Sequence, residues 1–323
     1  MKSADYVTLL YEALLGRNPD GEGLRHHVDV LETTGDLRVI VDKIVGSEEY
    51  INKHAPLSTF VLPDFVAMLD RPFTIVDVGA QKLDGENHIY SPIISSGINW
   101  KCIGFEPLEH RRVERINAEA DKRLVIIDAF IGDGLRHIFR VVSDDGSSSL
   151  LALNHDFNAS YEHIAALQTV HEEEVGTQRL DDILSGEPVI DFLKFDIQGF
   201  EDRALKSARN TLARTNVVHI ESFFGPMYND QAFFSDIDSY LRDAGFEFVD
   251  FSTLRRYRYI AVPHPSTMGE RLIWADAVYI RTLDPRREPA SSFVAQAAAA
   301  SLIYEKHGLA QDLLCRGGLA SGG

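Results

Sequence analysis

The chain has 323 residues, of which 45% are hydrophobic, enough for a globular domain with a sizeable core and a small appended domain. Its formal net charge of −17 opposes a nucleic-acid partner, because proteins that bind nucleic acids need a basic surface. Two cysteines are too few for a disulfide framework, and the lack of a membrane-length apolar stretch or convincing signal peptide predicts a soluble, cytoplasmic protein.

The first 50 residues carry the spacing of amphipathic helices. Apolar side chains recur on one helical face in three stretches, which begin near Val7, Leu24 and Leu37. Glycine-containing turns, such as the NPDG that follows Gly16, separate these stretches and end the helices. We therefore predict a small all-α domain over residues 1–55.

The same segment is similar to a known small domain. The sequence YVTLLYEALLGRNPDGEGL, with SEEY at its close, resembles the phycobilisome-linker-like helical domain over about the first 50 residues. The resemblance implies an accessory module without chemistry of its own. We expect this module to serve packing, to form a homo-oligomer or to recruit a protein partner.

The pattern changes after the first domain. Residues 56–71 contain prolines and predict a linker, whereas apolar runs and helical stretches alternate over residues 72–283, which indicates a mostly parallel α/β sheet. The predicted strands cover residues 74–78, 101–105, 124–130, 191–196 and 217–221. A predicted helix over 231–244 precedes two late strands, over 246–251 and 274–281, which look like the antiparallel pair that closes many cofactor-binding sheets.

Two of the predicted strands end in residues that suit a nucleotide. The first ends in DVGA, with Asp77 and Gly79, and the second ends in GFEP, with Glu106. A strand, a glycine turn, a helix and a strand that ends in an acid form a nucleotide-binding half-sheet, in which the acid hydrogen-bonds the ribose. Dinucleotide sites usually carry three closely spaced glycines, but AQKLD separates Gly79 from Gly85. This loop therefore favours S-adenosylmethionine, which has no phosphate, over NAD or FAD.

Five sequence blocks follow one another in the predicted sheet domain: DVGA at Asp77, GFEP at Gly104, RLDD at Arg179, LKFDIQGFE at Leu193 and IESFFGPMY at Ile220. In this order they resemble the FkbM-type S-adenosylmethionine-dependent methyltransferases. The resemblance implies a Rossmann-like class I methyltransferase sheet, mostly parallel with an antiparallel last strand, and S-adenosylmethionine as cofactor. One departure is the loop after DVGA, where QKLDGE replaces the second glycine that many members have.

The resemblance also implies which residues bind the cofactor, namely Asp77, Gly79, Ala80, Glu106, Asp128, Ala129 and Asp196. Asp77 and Gly79 would line the methionine end, and Glu106 would hold the ribose hydroxyls. Asp128 would accept the adenine amino proton while the adjacent backbone amide at Ala129 meets a ring nitrogen. The alternative for Asp128 is that it only ends the third strand.

A cluster of titratable side chains is expected where the fourth and fifth predicted strands end. Asp196 ends the fourth strand, and His219 and Glu221 share one face of the fifth. Open α/β sheets bind ligands at this edge, and methyl transfer to a hydroxyl needs a positioned acceptor and a base. We predict His219 or Asp196 as the base and Glu221 as the residue that orients or binds the acceptor. Lys194 is a predicted ion-pair partner, and the alternative for His219 is a core histidine.

The same acids bear on metal binding. Some O-methyltransferases place acids at the ends of these strands around a divalent cation, and Asp196 with Glu221 imitates that arrangement. Because the sequence has no His/Cys cluster with ligand spacing, we predict no metal.

The acceptor end is the least readable part of the predicted site. Arginines beside tyrosines in LRRYRY, residues 254–259, suit a sugar, phosphate or carboxylate, although a solvated edge strand explains the run equally well. Further candidates are Ser147, Ser148, Ser149, Phe223, Phe224 and Tyr228.

Residues 284–323 are predicted to form a helical, partly disordered tail. The stretch ASSFVAQAAAASLIYEKHG favours a helix that ends at Gly308, after which one more turn and a frayed end are expected. We expect its alanine-rich face to dock on the domain or on a second subunit, and we assign it no chemistry.

The sequence therefore predicts an S-adenosylmethionine-dependent O-methyltransferase. Its acceptor would be a small molecule or glycan, that is, a hydroxyl of a saccharide or a secondary metabolite. One alternative is a catalytically silent scaffold with an inherited fold, against which Glu106, Asp196 and Glu221 argue. The other is an NAD-dependent oxidoreductase, against which the missing glycine triple argues.

Overall fold

The computed structural model describes residues 2–47, 49–50, 53, 63–81, 87–119, 121–261 and 269–320. The chain divides into two compact units, Met1–Pro63 and Asp64–Gly323. Residues 56–62 of the predicted linker and residues 82–86 of the QKLDGE loop lie outside the described part.

The first unit contains the three helices that its apolar spacing predicts, α1 (Ser3–Leu15), α2 (Gly21–Thr34) and α3 (Leu37–Val45). Asp20 begins α2 because its carboxylate accepts hydrogen bonds from the backbone N–H groups of the first turn. Gly16 ends α1 in the left-handed conformation, with φ 59°. The core of this unit is formed by Val7, Tyr11, Leu15, Ile40 and Ile44.

The described residues of the second unit form ten strands in two sheets. They are β1 (Phe73–Val78), β2 (Trp100–Phe105), β3 (Leu124–Ile127), β4 (Phe130–Ile131), β5 (Arg136–Val142), β6 (Thr169–Gln178), β7 (Ile190–Phe195), β8 (Thr215–Phe223), β9 (Phe246–Tyr257) and β10 (Arg271–Arg281). The larger sheet has the order β3-β2-β1-β7-β8-β10-β9, in which β10 is antiparallel to both neighbours and the other pairs are parallel. This confirms the predicted mostly parallel sheet with an antiparallel end.

Helices flank this sheet, and several of them are short. They are α4 (Phe65–Met68), α5 (Ser91–Ser95), α6 (Glu109–Ala118), α7 (His155–Asn158), α8 (Leu180–Ile183), α9 (Glu201–Lys206), α10 (Arg209–Leu212), α11 (Phe234–Asp243), α12 (Ala290–Ala298) and α13 (His307–Arg316). In the part of the chain that the structure describes, no helix has both the length and the apolar character needed to cross a bilayer.

The central strands are buried along their whole length. Every residue of β1 and of β8 is buried, because hydrophobic clusters cover both faces of the sheet. These strands therefore read as apolar runs rather than as alternating patterns. Their carboxyl ends all lie at one edge, where polar side chains meet.

The smaller sheet, with the order β4-β6-β5, was not predicted from the sequence. Most side chains of β6 are exposed, and its glutamates hide the apolar alternation that normally marks a strand. The predicted third strand was also too long, since β3 ends at Ile127 and β4 belongs to this other sheet.

The C-terminal segment packs on the larger sheet. Alanines of α12 belong to the same buried cluster as Phe73 of β1 and Phe192 of β7. Gln296 is fully buried and donates hydrogen bonds to the backbone carbonyls of Asn216 and Arg281, which ties α12 to β8 and β10. The single helix predicted up to Gly308 was wrong in detail, because α12 continues as a π-helix over Ala299–Ile303 and α13 begins separately at His307.

Candidate active site

A cavity of about 620 Å³ lies at the carboxyl ends of β1, β2, β7 and β8. Strands β2 and β3 extend from β1 in one direction, and β7 and β8 extend in the other, so the cavity sits where the strand order reverses. Ligands of open α/β sheets bind at this position, and the volume falls within the range of roughly 300–1,000 Å³ usual for ligand sites.

The cavity has two ends, which are named here by one residue each. The Glu106 end contains Glu106 after β2 and Ala129 after β3, and the His219 end contains Asp196, His219 and Glu221. Strands β2 and β8 are three positions apart in the sheet. At the usual strand spacing of ~4.8 Å, the two ends are about 14 Å apart.

Glu106 is a buried carboxylate that faces the cavity. Its Oε1 accepts a hydrogen bond of 2.9 Å from the backbone N–H of Leu108, which fixes the orientation of the carboxyl. Burial raises the pKa of Glu106 to about 7, although the hydrogen bond from Leu108 favours the ionised form. A ligand that donates hydrogen bonds to this carboxylate offsets the cost of its burial.

The structure separates the two residues predicted beside the adenine. Ala129 lines the cavity, but Asp128 is not among the lining residues. The Asp128 carboxylate is 65% exposed and lies 3.1 Å from Nη2 of Arg112. The Asp128 side chain thus points into an ion pair rather than into the cavity.

Asp77 lies beneath the cavity and is completely buried. Its Oδ2 accepts a hydrogen bond of 2.6 Å from the Tyr90 hydroxyl, and Oδ1 lies 3.4 Å from Nζ of Lys194. Burial favours the neutral acid, but the cations of Lys194 and Arg115 outweigh it and hold the pKa of Asp77 below its usual value. Asp77 therefore anchors side chains under the site and does not line the cavity.

Gly79 is required by the close approach of two strand ends. It adopts φ 84°, and a Cβ added there would lie 1.9 Å from the backbone oxygen of Asp196. Gly79 itself lines the cavity, whereas the neighbouring Ala80 is buried behind it. The backbone conformation of Gly79 thus allows the ends of β1 and β7 to lie close together.

Arg115 of α6 supports the loop after β1. The sequence analysis did not identify it as a residue of the site. Its side chain is fully buried, with Nη1 donating to the Ala80 carbonyl at 3.1 Å and Nη2 to the Tyr90 hydroxyl at 2.8 Å. It also pairs with Asp77 at 3.6 Å and with Glu119 at 3.3 Å. The sequence of α6 does not distinguish this arginine from the exposed charges around it.

Asp196 follows β7 directly and reaches into the cavity, with its side chain 39% exposed. Its Oδ2 lies 3.2 Å from Nζ of Lys194, which confirms the predicted ion pair. Its Oδ1 accepts a hydrogen bond of 2.9 Å from Nε2 of Gln198, and the same nitrogen donates to Glu221 at 3.0 Å. One amide therefore holds two carboxyl groups of the site.

Gln198, which holds these two carboxyl groups, has an unusual backbone conformation. Its φ of 56° lies in the left-handed region, which non-glycine side chains rarely adopt and which clusters at functional sites. The Tyr228 hydroxyl donates to its Oε1 at 2.9 Å and fixes the direction of the amide. The sequence analysis gave Gln198 no part in the site.

Glu221 is buried on β8 and faces Asp196 across the Gln198 amide. Burial raises its pKa well above the usual value, and the negative charges of Asp196, Glu201 and Asp276 raise it further. The neutral acid of Glu221 is therefore favoured, and it can donate a hydrogen bond.

Glu201 has a different position from the acids of the cavity. It is buried, does not line the cavity, and accepts a hydrogen bond of 2.8 Å from the backbone N–H of Ile197. Burial raises the pKa of Glu201 to about 8. The carboxyl thus holds the turn between β7 and α9.

His219 is buried on β8 between two oxygen-bearing side chains. Its Nδ1 lies 3.0 Å from the Tyr304 hydroxyl, and its Nε2 lies 3.7 Å from Oδ2 of Asp276. Asp276 lies on β10 directly opposite Glu221 and also lines the cavity. A lone acid in the apolar run LIWADAVYI was the available signal for Asp276, whereas Tyr304 gave no sequence signal.

The mouth of the His219 end carries aromatic and cationic side chains. Trp274 Nε1 donates to the Tyr257 hydroxyl at 3.2 Å, and the Arg255 guanidinium lies 5.6 Å from the Trp274 ring centroid. All three line the cavity, as do Ser147, Ser148 and Ser149. Of the other predicted acceptor candidates, Phe223, Phe224 and Tyr228 are not lining residues.

Among the described residues, no group of three or more His, Cys, Asp and Glu side chains is arranged to hold a metal ion.

Comparison with protein families gives two matches. Residues 77–248 match the methyltransferase FkbM domain, and residues 1–54 match a domain of unknown function, DUF4214. No curated protein matches the chain.

Comparison with solved structures gives methyltransferases at low identity. Methyltransferase FkbM from Methylobacillus flagellatus KT is 16% identical, with a TM-score of 0.36, over 84% of this chain and 58% of that one. A TehB-like SAM-dependent methyltransferase from Corynebacterium glutamicum ATCC 13032 Kitasato is 13% identical, with a TM-score of 0.32, over 67% and 84%. A 1,6-didemethyltoxoflavin-N1-methyltransferase from Burkholderia thailandensis is 13% identical, with a TM-score of 0.32, over 80% and 90%. The match to the first of these spans less than two thirds of its length.

Proposed function

Because the chain belongs to the FkbM methyltransferase family, whose methyl donor is S-adenosylmethionine, we propose that it methylates a hydroxyl of a saccharide or secondary metabolite. The observation that supports this proposal is one cavity with the buried carboxyl of Glu106 at one end and several titratable side chains at the other. Glu106 stands at the first end, and Asp196, His219 and Glu221 stand at the second.

The Glu106 end suits the nucleoside of S-adenosylmethionine. A carboxylate accepts hydrogen bonds from both hydroxyls of a ribose, and Glu106 is held in place for this by Leu108. The backbone beside Ala129 and the apolar side chains of Ile131 and Phe139 line the same part of the cavity and suit the adenine. When bound, S-adenosylmethionine supplies a methyl group on a sulfonium, which needs little further activation.

The His219 end suits the acceptor hydroxyl. A base must take the hydroxyl proton as the new oxygen–carbon bond forms and the sulfur–carbon bond breaks, with the sulfur keeping the electron pair. Asp196 and His219 are the candidate bases, since both line the cavity. Glu221, favoured as a neutral acid, would orient the acceptor by donating a hydrogen bond to it.

The cavity mouth supports a cyclic, oxygen-rich acceptor. Trp274 and Tyr257 offer flat faces for a ring, and Arg255 offers a guanidinium to hydroxyl, carboxylate or phosphate oxygens. These groups stand beside Asp196 and His219 in one cavity, which allows an acceptor to contact both sets at once.

We propose an accessory role for the first 54 residues, like that of the phycobilisome-linker-like domains. The separate family match and the separate core of this unit support a self-contained module. Its role would be to recruit a protein partner or to promote self-association. The two free thiols, Cys102 and Cys315, support a cytoplasmic location, where thiols stay reduced.

The first test is calorimetric titration of the full chain with S-adenosylmethionine, with NAD as the comparison ligand. Saturable binding of S-adenosylmethionine alone is expected. A screen with methyl-labelled S-adenosylmethionine against sugars, glycosides and alcohols then identifies the acceptor class by transfer of the label to oxygen. A folded sample that binds S-adenosylmethionine but labels none of these acceptors contradicts O-methylation of this class.

A further inference from the structure

The C-terminal segment places one side chain against a residue of the proposed active site. Tyr304 lies 56 residues beyond the last residue of the family match, which ends at 248. Its hydroxyl nevertheless lies 3.0 Å from Nδ1 of His219. The two rings are close to parallel, at 12°, with centroids 6.2 Å apart, and both contact Phe192 of β7.

The backbone around Tyr304 is irregular in a way that sets its position. The π-helix over Ala299–Ile303 ends immediately before Tyr304, and the following residue, Glu305, has φ 54°. The backbone N–H of Lys306 then closes the turn on the Ala300 carbonyl at 2.8 Å. Single π-turns and left-handed non-glycine residues both occur preferentially at functional sites, where they aim a particular side chain.

The chemistry of the contact indicates which partner donates the hydrogen bond. A phenol hydroxyl is a stronger donor than acceptor, and a neutral imidazole nitrogen is a good acceptor. Burial raises the pKa of Tyr304 well above its usual value, with the charge of Asp276 adding to the effect, so the hydroxyl keeps its proton. Tyr304 therefore donates to Nδ1, and in neutral His219 the ring proton lies on Nε2.

The far side of the ring supports the same tautomer. Nε2 faces the Asp276 carboxylate at 3.7 Å. Burial favours the neutral form of Asp276, but His219, Thr253 and Lys194 together hold its pKa below the usual value. An N–H directed at this anion is attractive, whereas a nitrogen lone pair at the same place would be repelled by it.

We propose that Tyr304 is a positioning residue that holds neutral His219 with its proton on Nε2, which makes His219 a hydrogen-bond donor in the cavity. The proposal rests on the proposed function, and it assigns the base. With Nδ1 occupied by Tyr304 and Nε2 protonated, neutral His219 has no free lone pair for the acceptor proton. Asp196 then takes that proton, and His219 orients the acceptor or Asp276.

The test is nitrogen NMR of the full chain labelled with ¹⁵N at its histidine rings, at neutral pH. The chain has 12 histidines, and the His219 signals are those lost in His219→Gln. We expect a protonated Nε2 and an unprotonated, hydrogen-bonded Nδ1. A protonated Nδ1, or an imidazolium with both nitrogens protonated, overturns the proposal without any variant of Tyr304.

Tyr304→Phe then tests whether Tyr304 is responsible. We expect the Nδ1 resonance to shift towards that of a free imidazole nitrogen. The matched control is Tyr279→Phe, which removes a hydroxyl bonded to Asp238 and away from His219, and should leave the His219 signals in place. An unshifted Nδ1 resonance in Tyr304→Phe overturns the proposed role.

Calorimetry separates this proposal from the proposed function. The NMR result needs no acceptor, and Tyr304→Phe should bind S-adenosylmethionine as the unaltered chain does. If the unaltered chain does not bind S-adenosylmethionine, this result contradicts the proposed function. Once an acceptor is known, His219→Gln, which keeps an N–H donor, should retain more turnover than His219→Leu; equal loss in both overturns the proposal.

Discussion

The two ends of the cavity are built in different ways. The Glu106 end comes from one stretch of chain that runs from β1 to β5, and backbone turns, one glycine and one acid shape it. The His219 end gathers side chains from β7, β8, β9 and β10, and His219 in turn contacts Tyr304 of the C-terminal segment. A site formed by neighbouring residues of the backbone can be predicted from short sequence motifs. A site formed by side chains that are distant in the sequence can be identified only from the folded structure.

The largest expected effect comes from the glycine that joins the two ends. Gly79→Ala places a Cβ 1.9 Å from the Asp196 backbone oxygen at φ 84°, so the ends of β1 and β7 must separate. We expect a loss of more than about 3 kcal/mol in the free energy of unfolding and no S-adenosylmethionine binding. Urea unfolding measures the first effect and calorimetry the second.

Gly245→Ala is the matched control for this variant. Gly245 has φ 89°, but nothing lies within 4 Å of an added Cβ. It should lose only about 1–2 kcal/mol from its backbone conformation. Equal losses in the free energy of unfolding for the two variants would show that the close contact between the strand ends does not affect stability.

Asp196→Asn is expected to affect the His219 end alone. The asparagine side chain retains an oxygen that can accept the hydrogen bond from Gln198, but it cannot act as a base. The value of kcat should therefore fall about 100-fold to 10,000-fold. The dissociation constant of S-adenosylmethionine should change little, and a large increase would instead assign Asp196 to the cofactor, as the family resemblance implies. Methyl-transfer kinetics with the acceptor from the screen measure the effect, with Asp182→Asn, an exposed aspartate on α8, as control. Turnover that survives in Asp196→Asn excludes Asp196 as the base.

Glu106→Gln is expected to affect the Glu106 end alone. A neutral amide binds the ribose hydroxyls less strongly, so the affinity for S-adenosylmethionine should fall about tenfold, or ~1.4 kcal/mol. Glu109→Gln, on the exposed side of α6, is the control. Calorimetry at fixed pH gives both values, and equal affinities would remove Glu106 from the cofactor site.

The raised pKa of Glu106 predicts a pH dependence of cofactor affinity that the Glu106→Gln variant should lack. The carboxyl ionises as the pH rises through about 7, and only the carboxylate accepts hydrogen bonds at both oxygens. Affinity for S-adenosylmethionine should therefore increase with pH across this range in the unaltered chain. Glu106→Gln should show no such increase, and a parallel increase in both would assign it to another group.

The smallest effect is expected at the cavity mouth. Arg255→Ala should raise KM for the acceptor by about twofold to fivefold, since an exposed guanidinium beside an aromatic ring contributes roughly 0.5–1 kcal/mol. The adjacent Arg256 is exposed and does not line the cavity, so Arg256→Ala is the control. Equal KM values in the two variants would favour the solvated-edge interpretation of LRRYRY.

The sheet was predictable because its buried strands appear as apolar runs that end in glycine or an acid. The same runs predicted that Glu106, Asp196, His219 and Glu221 line one edge, and all four line the cavity. The part played by Gln198 was not predictable, because it depends on a left-handed backbone and on the position of Tyr228. The inward turn of Arg115 likewise follows from tertiary packing, since helical spacing alone gives no reason to bury it.

The packing of α12 has a consequence for where this protein can be cut. A fragment that stops at residue 248, where the family match ends, lacks β10 and α12, and so exposes the inner edge of β8 and the apolar face that the alanines cover. Such a fragment has an unpaired strand edge and is expected to aggregate. The unit that folds is thus longer than the sequence pattern by which it is recognised, and limited proteolysis should leave β1 to α13 in one resistant piece.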